Sequence, residues 1–295
     1  MMITITNNIY HKVVKMVVFL LPFYLLTFLP LTVGAQKQLV VLHTNDTHST
    51  ILPIKKNLPD TMKAGRAGAL RRIAMLREER QKEPDLLLFD SGDFFQGSAY
   101  YTFFKGEVEI GLMNRMGYDA VTIGNHEFDF GLEEMARVFK MATFPIVCAN
   151  YDFTGTPVEG LVKPYVILKR KGVRIGVFGL SPKMEGLVSA KNCEGVKYLD
   201  PAKVALETAT MLKREKGCDV VICLSHLGWL SNRGEDDQYV VPRSRDIDLV
   251  LGGHTHTYFQ QLEYLPNMDG KQVPVDQNGK HAIFVGKMVL NLIKR

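Results

Sequence analysis

Cysteine is scarce in this 295-residue chain, which contains only four. They lie at Cys148, Cys193, Cys218 and Cys223, and no two have the close CxxC spacing of a zinc site. Cys218 and Cys223 are predicted to share one extended segment, where roughly 16 Å separates them, too far for a disulfide. Cys148 and Cys223 belong to apolar runs and are predicted to be buried thiols. The cysteines therefore argue against a disulfide framework.

The chain also lacks a strong charge imbalance, internal repeats, low-complexity tracts and long linkers. Its formal net charge is +5, and Lys12 and Lys15 supply two of those charges, so residues 36–295 carry only +3. A nucleic-acid-binding protein is expected to have a clustered basic face. The sequence does not favour nucleic acid as a partner.

The first 35 residues contain no acidic residue and have the pattern of an export signal. Lys12 and Lys15 precede an apolar run over residues 17–33, and Val33-Gly34-Ala35 places small residues at a cleavage site. We predict a signal peptide over residues 1–35 and one domain over residues 36–295. The mature protein is then expected in the periplasm or outside the cell, with no stable insertion in a membrane.

The alternative for this segment is an anchor that stays attached to the membrane. The apolar run approaches the roughly 20 residues that span a bilayer. Pro22 and Pro30 interrupt the run, and the cleavage motif follows it directly. These features favour removal before Gln36, and N-terminal sequencing of the mature protein distinguishes cleavage from anchoring.

From Gln36 onward, predicted strands and helices alternate, which is typical of layered α/β folds. Predicted helices are Ala64–Lys82, Val108–Met116, Leu132–Ala142 and Pro201–Lys216, the last with Asp200 as its N-cap. Five predicted strands each run directly into polar residues, namely Leu39–Leu42, Leu86–Phe89, Ala120–Ile123, Val220–Leu224 and Ile247–Leu251. Ligand sites in α/β folds lie at the carboxyl ends of strands. We therefore expect these five polar clusters to meet at one edge.

The five clusters are rich in carboxylate, amide and imidazole groups. They are Asp46-Thr47-His48, Gly92-Asp93, Gly124–Asp129, Ser225-His226 and Gly252–His256. Such donors suit two divalent transition metal ions, with Mn, Zn, Fe and Co all open as identities. Two ions that share one carboxylate account for seven donors better than one ion does, and they suit in-line displacement at phosphorus. No nucleophilic serine or cysteine is then required.

The blocks NDTH, GDFFQGS, GNHEFDFG, SHLG and GGHTH, in this order, resemble those of the calcineurin-type metallophosphoesterases. More narrowly, they resemble the catalytic domain of the 5′-nucleotidase branch, over residues 39 to about 295. The resemblance implies a four-layer αββα sandwich of two mixed sheets flanked by helices. It also implies two-metal hydrolysis of phosphate esters by a metal-bridging hydroxide, with nucleotides as the family's usual substrates.

The resemblance also implies a role for each matching residue. Asp46, His48 and His256 bind the first metal, Asp93 bridges both, and Asn125, His226 and His254 complete the second. His126 is the catalytic histidine, and Asp129 holds it in position and raises its pKa. Ser49 departs from the pattern, since the family usually has glycine there.

Enzymes of this branch usually carry a second domain that holds the nucleoside base, and residues 36–295 do not contain it. A separate polypeptide carrying a nucleotide-binding domain is therefore a candidate partner. The alternative function is a non-catalytic or partner-dependent half of a split nucleotidase. His126 and Asp129 favour an active enzyme, because a protein that only binds metal does not need them.

Other chemically suggestive residues have simpler interpretations. His43 and Glu127 are predicted to be structural, and His281 to be exposed to solvent. The aromatic run Tyr100–Phe104 is predicted to pack against the loop after Asp93, although stacking on a base stays open. Arg71-Arg72 is predicted to form a solvated helix face.

Overall fold

The computed structural model of the protein describes residues 2–7, 37–231 and 234–293. The predicted signal peptide lies outside the described residues except for Met2–Asn7, which forms a strand at the edge of a sheet. Its removal therefore stays a prediction. Within the described ranges, no helix combines the length and apolarity needed to cross a bilayer.

The described residues form fifteen strands and six α-helices. The strands are β1 Met2–Asn7, β2 Lys37–Thr44, β3 Leu87–Asp90, β4 Ala120–Thr122, β5 Ile146–Val147, β6 Tyr151–Asp152, β7 Val162–Lys163, β8 Tyr165–Arg170, β9 Val173–Leu180, β10 Lys197–Tyr198, β11 Val220–Ser225, β12 Leu249–Leu251, β13 Glu263–Pro266, β14 Gln272–Asp276 and β15 Gly286–Ile293. The helices are α1 Ala69–Lys82, α2 Ala99–Phe104, α3 Glu107–Met116, α4 Gly131–Phe139, α5 Pro201–Thr210 and α6 Asp237–Val240.

Two mixed sheets form the centre of the fold. The first has the order β1-β15-β2-β3-β4-β5-β7, and its strands from β2 to β7 are parallel. The second has the order β13-β14-β12-β11-β9-β8, with parallel strands from β14 to β9 and an antiparallel strand at each edge. The predicted αββα sandwich is confirmed.

The sheets pack face to face because their strands are apolar on both faces. In β2, Leu39 and Val41 point between the sheets, where they belong to the same buried cluster as Ile175 and Ile222 of the second sheet. The side chain of Val40 points the other way, into the cluster beneath α1, α3 and α4. A third cluster lies between the second sheet and α5. These three apolar layers hold the parallel strand ends in register.

Local turn chemistry explains where the helices begin and end. Predicted to start at Ala64, α1 begins only at Ala69, because Gly65 and Gly68 have φ values of 71° and 97° that a helix cannot contain. The Asp200 carboxylate caps α5 as predicted, accepting a hydrogen bond from the Ala202 N–H at 2.9 Å. A π-helical turn, Met211–Glu215, then continues the helix to within one residue of its predicted end at Lys216.

Cys148 and Cys223 are buried and all four cysteines are free, as predicted, but Cys218 does not share an extended segment with Cys223, because β11 begins at Val220. The prediction for Arg71-Arg72 is wrong for one of the two residues. Arg71 is exposed, whereas Arg72 is only 9% exposed and lies against the first sheet. Its side chain lies on the buried face of α1, with Ala69 and Leu76.

Candidate metal centre

All five polar clusters lie at the carboxyl ends of parallel strands. Three follow β2, β3 and β4 of the first sheet, and two follow β11 and β12 of the second. Backbone bonds join the loops, because the Asp46 N–H donates to Gly92 O at 2.9 Å and the His48 N–H donates to Asp93 O at 3.0 Å. The clusters therefore meet where the two sheets face each other.

The first group of donors comprises Asp46, His48 and His256, whose ligand atoms all lie within 4.8 Å of one another. His48 Nε2 and His256 Nε2 are 2.9 Å apart, and His256 Nε2 is 3.4 Å from Asp46 Oδ1. Asp46 also accepts a hydrogen bond from the His254 N–H at 3.0 Å. This bond joins the β2 loop to the β12 loop across the two sheets.

The second group comprises Asp93, His226 and His254, again within 4.8 Å. His226 Nε2 is 3.1 Å from Asp93 Oδ2, and its Nδ1 lies 2.6 Å from Ser91 O. Because a carbonyl only accepts, Nδ1 carries the proton and Nε2 is left to face the carboxylate. Asn125 lies on the adjoining loop, buried, and its Oδ1 has no hydrogen-bond partner among the described residues.

Asp93 lies at the centre of the arrangement. It belongs to the second group and also to a third that contains His48 and His126. Burial alone raises the pKa of the Asp93 carboxyl, but the neighbouring imidazoles, His226 first, outweigh burial and hold it below the usual range. The carboxylate is therefore ionised and placed to interact with cations on both sides.

The donor set fits two divalent metal ions. His48 Nδ1 and Asn125 Oδ1 are buried atoms without a hydrogen-bond partner in the described structure, and His226 Nε2 faces Asp93 Oδ2 across 3.1 Å. Burial lowers the pKa of His48 and lowers that of His254 to about 4, so both rings are neutral and can offer a lone pair. Oxygen and imidazole donors without thiolate suit Mn, Zn, Fe or Co.

Backbone strain is concentrated in the same loops. Asp46, His48, Asp93, His254 and His256 all have positive φ, between 42° and 75°. Residues other than glycine rarely adopt this conformation, and such strain clusters at functional sites. The side chains at these positions are thus held at a local cost in backbone energy.

Gly124 lets the central side chains approach. A Cβ atom at this position would lie 2.2 Å from Asp93 Oδ1 and 2.5 Å from His226 Nε2. Atoms of Asp93 and His226 therefore occupy the space that a side chain at position 124 would need. Only glycine allows the β4 loop to pass this close to it.

His126 and Asp129 form a pair beside the donors. His126 Nδ1 is 3.1 Å from Asp129 Oδ2, and their side chains are 30% and 33% exposed. Burial alone lowers the pKa of His126, but the hydrogen bond to Asp129 and the charge of Asp93 outweigh it and raise the pKa above the usual value. His126 is thus a partly exposed imidazole that is readily protonated, next to the candidate metal donors.

Two structural predictions agree with the contacts observed. Glu127 is buried and accepts hydrogen bonds from three backbone N–H groups, those of Asp93 at 3.0 Å, Phe95 at 3.1 Å and Gly124 at 2.5 Å. Its carboxyl thereby fixes the β3 loop to the β4 loop. His43 is fully buried, with Nε2 3.0 Å from Ser91 Oγ.

The prediction for His281 is wrong. Its ring is partly buried against that of His48, with centroids 5.9 Å apart, and its Nδ1 lies 3.0 Å from Thr50 Oγ1. Burial lowers its pKa to about 4. The signal that could have found it is β14, a parallel strand whose carboxyl end lies at the same edge and leads to His281.

The aromatic run Tyr100–Phe104 is divided between packing and solvent. Tyr101 is buried and stacks on Phe95, with ring centroids 5.2 Å apart, whereas Phe103 is 77% exposed. Tyr101 also donates a hydrogen bond to the backbone carbonyl of His126 at 3.3 Å. The packing interpretation therefore holds for Tyr101 and not for the whole run.

Asp237 is a buried carboxyl within electrostatic reach of His226, and its protonation can be tested. Its Oδ1 accepts a hydrogen bond from Ser225 Oγ at 2.5 Å, and its buried Oδ2 has no partner among the described residues. Burial raises its pKa to about 7, so the folded chain binds a proton that the unfolded chain has released. The stability that this proton provides is complete at low pH and is lost as pH rises through about 7.

We expect Asp237→Asn to remove this dependence. Between pH 5 and pH 8, the unfolding free energy of the chelated variant should rise relative to wild type by on the order of a few kcal/mol. Denaturant unfolding at both pH values measures it, with the exposed Asp85→Asn as the control. Equal pH slopes for wild type and Asp237→Asn would contradict the assignment.

Comparison with known proteins agrees with this geometry. A family model for calcineurin-like phosphoesterases matches residues 39–258. The chain is 31% identical to human 5′-nucleotidase over 259 residues, covering 84% of this chain and 42% of that protein. It is 30% identical to a trifunctional nucleotide phosphoesterase of Bacillus subtilis, covering 85% of this chain and 18% of that protein.

A similar solved structure is that of a 5′-nucleotidase precursor from Thermus thermophilus. The TM-score is 0.78 at 31% sequence identity, covering 86% of this chain and 51% of that chain. The chain thus spans about half or less of the length of these relatives. The residues that the family model matches, 39–258, include every donor described above.

Proposed function

Since the chain belongs to the calcineurin-like phosphoesterase family, we propose that it hydrolyses phosphate esters with two divalent metal ions and that nucleotides are its substrates. The observation that carries this proposal is the position of Asp93, which is shared between groups of donors on either side of it. A carboxylate shared in this way suits a pair of ions more than a single one.

In this proposal, each ion takes donors from both sheets. Asp46, His48 and His256 hold the first ion, Asn125, His226 and His254 hold the second, and Asp93 is shared between them. Ions bound there supply Lewis acidity, lower the pKa of water and neutralise charge on a phosphoryl group. The chain's own contribution is to fix the donors before substrate arrives, through the strained loops and the glycine at 124.

His126 acts from the exposed side of the site. Asp129 engages Nδ1, which leaves Nε2 to hold a proton toward substrate. From there it donates a hydrogen bond to a phosphoryl oxygen, or a proton to the leaving oxygen. The raised pKa of His126 favours the protonated ring that this role requires.

The relatives' names support nucleotides as the substrate class. They are described as 5′-nucleotidases and as a nucleotide phosphoesterase. The chain spans under half of the human enzyme, so recognition of the nucleoside by the described residues is part of the proposal. A separate nucleotide-binding polypeptide stays a prediction.

A substrate panel with purified, Mn²⁺-loaded protein tests the proposal. Phosphate release from AMP, p-nitrophenyl phosphate and bis-p-nitrophenyl phosphate is measured, and we expect turnover of at least one monoester that chelation abolishes. The ratio of kcat/KM for AMP to that for p-nitrophenyl phosphate measures recognition of the nucleoside. No release from any ester by protein that holds both ions would favour the non-catalytic alternative.

A further inference from the structure

A second concave site lies outside the metal centre. It is a pocket of about 450 Å³, formed by the loop before α1, the first turns of α1 and the residues Ala282, Ile283 and Val285. Three of its lining residues are arginines, Arg66, Arg71 and Arg72, and none of its lining residues is acidic. Its volume is in the range of small-molecule sites.

The arginines that line it have little compensating charge. Within the described ranges, none of the three has a carboxylate oxygen within 4.0 Å of its guanidinium nitrogens. Arg71 donates to the carbonyl of Gly65, and Arg66 lies over the Phe284 ring at 5.8 Å. Both contacts orient the guanidinium groups without neutralising them.

Arg72 is the buried member of the three. It is only 9% exposed, and its Nε is a buried atom with no hydrogen-bond partner in the described structure. It lies beside Tyr118 and within electrostatic reach of Asp90, so part of its charge is compensated from the interior. Arg72 also lines a small interior cavity that contains Glu109, so its Nε faces the interior, and its charge contributes to the pocket from behind.

The beginning of α1 adds a further positive contribution. The N-cap is Gly68, which offers no side-chain acceptor, and the first turn contains no acidic residue. The Ala69 N–H donates to Ile51 O and the Arg72 N–H donates to Gly68 O, which leaves the N–H groups of Leu70 and Arg71 for another partner. Free N–H groups and the helix dipole favour an anion at this position. Without an anion, Arg71 and Arg72 in the first turn are unfavourable, because their charge lies at the positive end of the dipole.

We propose that this pocket binds a phosphate group, with Arg66 and Arg71 as its ligands and with Arg72 adding positive charge behind them. Guanidinium groups suit phosphate because they offer paired donors. The volume exceeds what a free ion fills, so the group can belong to a larger phosphorylated molecule. One end of the pocket is Ala282, the neighbour of His281, whose ring contacts His48.

Binding to chelated, metal-free protein tests this proposal independently of hydrolysis. Calorimetric titration with orthophosphate, and separately with ADP, is carried out at low ionic strength because screening weakens such contacts. We expect binding of at least one ligand, weakened about tenfold or more in the double variant Arg66→Ala/Arg71→Ala. Both side chains are exposed, so the double variant should remain folded.

Arg77→Ala is the matched control, because Arg77 is exposed on the same helix and does not line the pocket. Tighter binding of ADP than of orthophosphate identifies an organic phosphate as the ligand, and equal binding identifies the free ion. The proposal is overturned if neither ligand binds, or if the double variant binds as wild type does. Either result leaves hydrolysis at the metal centre untouched.

Discussion

Replacing Asp93 by alanine is expected to empty both metal positions and to reduce kcat/KM by at least about 10³-fold. Asp93 belongs to donor groups on both of its sides, so the change removes the one charge that two cations would share. The carboxyl also accepts the backbone N–H of His126 at 2.9 Å, so the proposed catalytic histidine should shift as well. Elemental analysis and steady-state kinetics measure the two effects.

Asp93→Asn separates charge from shape. It keeps an acceptor for the His126 N–H and the volume next to Gly124, but it removes the negative charge. We expect it to lose metal nearly as fully as the alanine variant, because attraction between ions and a carboxylate is mainly electrostatic. Two ions per chain in either variant would contradict the bridging role.

His126→Asn should have the second largest effect, a loss of about 10²–10⁴-fold in kcat with metal content close to wild type. The ring is partly exposed and held by Asp129 at 3.1 Å, so it is available to substrate. Removing it deletes a proton donor while leaving the seven proposed ligands in place. Unchanged kcat would show that the metal ions act without it.

Metal content is the informative control for this variant, because His126 also lies within 4.8 Å of His48 and Asp93 as a potential donor. Loss of one ion would make His126 a ligand rather than a proton donor. Asp129→Asn provides a graded comparison, since it keeps the ring and removes the charge that raises its pKa. We expect a smaller decrease in kcat than for His126→Asn.

The sequence predicted the layers and the edge of the site because both depend on local patterns. Strands such as β2 and β11 are buried on both faces, so they are continuous apolar runs that end at polar residues. Strand β14 was missed because it is short and contains Pro274. Its hydrophobic pattern does not distinguish the segment from a loop. Missing β14 also concealed the position of His281.

Other errors have tertiary causes. A charged residue such as Arg72 is expected on the solvated face of a helix, but its place on α1 directs its side chain toward Tyr118 and the first sheet. The start of α1 was placed too early because Gly65 and Gly68 interrupt an otherwise helical composition. The first error arises from contacts with residues that are distant in the sequence. The second arises from backbone angles that composition does not encode.

The proposed donors also have a mechanical consequence, because they are divided between the two sheets. Asp46 and His48 lie on the loop after β2 of the first sheet, and His256 lies on the loop after β12 of the second. An ion bound by all three would therefore cross-link distant parts of the chain. Ligand binding to the folded state alone adds stability that grows with free ligand concentration. Metal supply would then control how firmly the two halves of the sandwich hold together, and the chain's lifetime as well as its turnover would depend on the ions available to it.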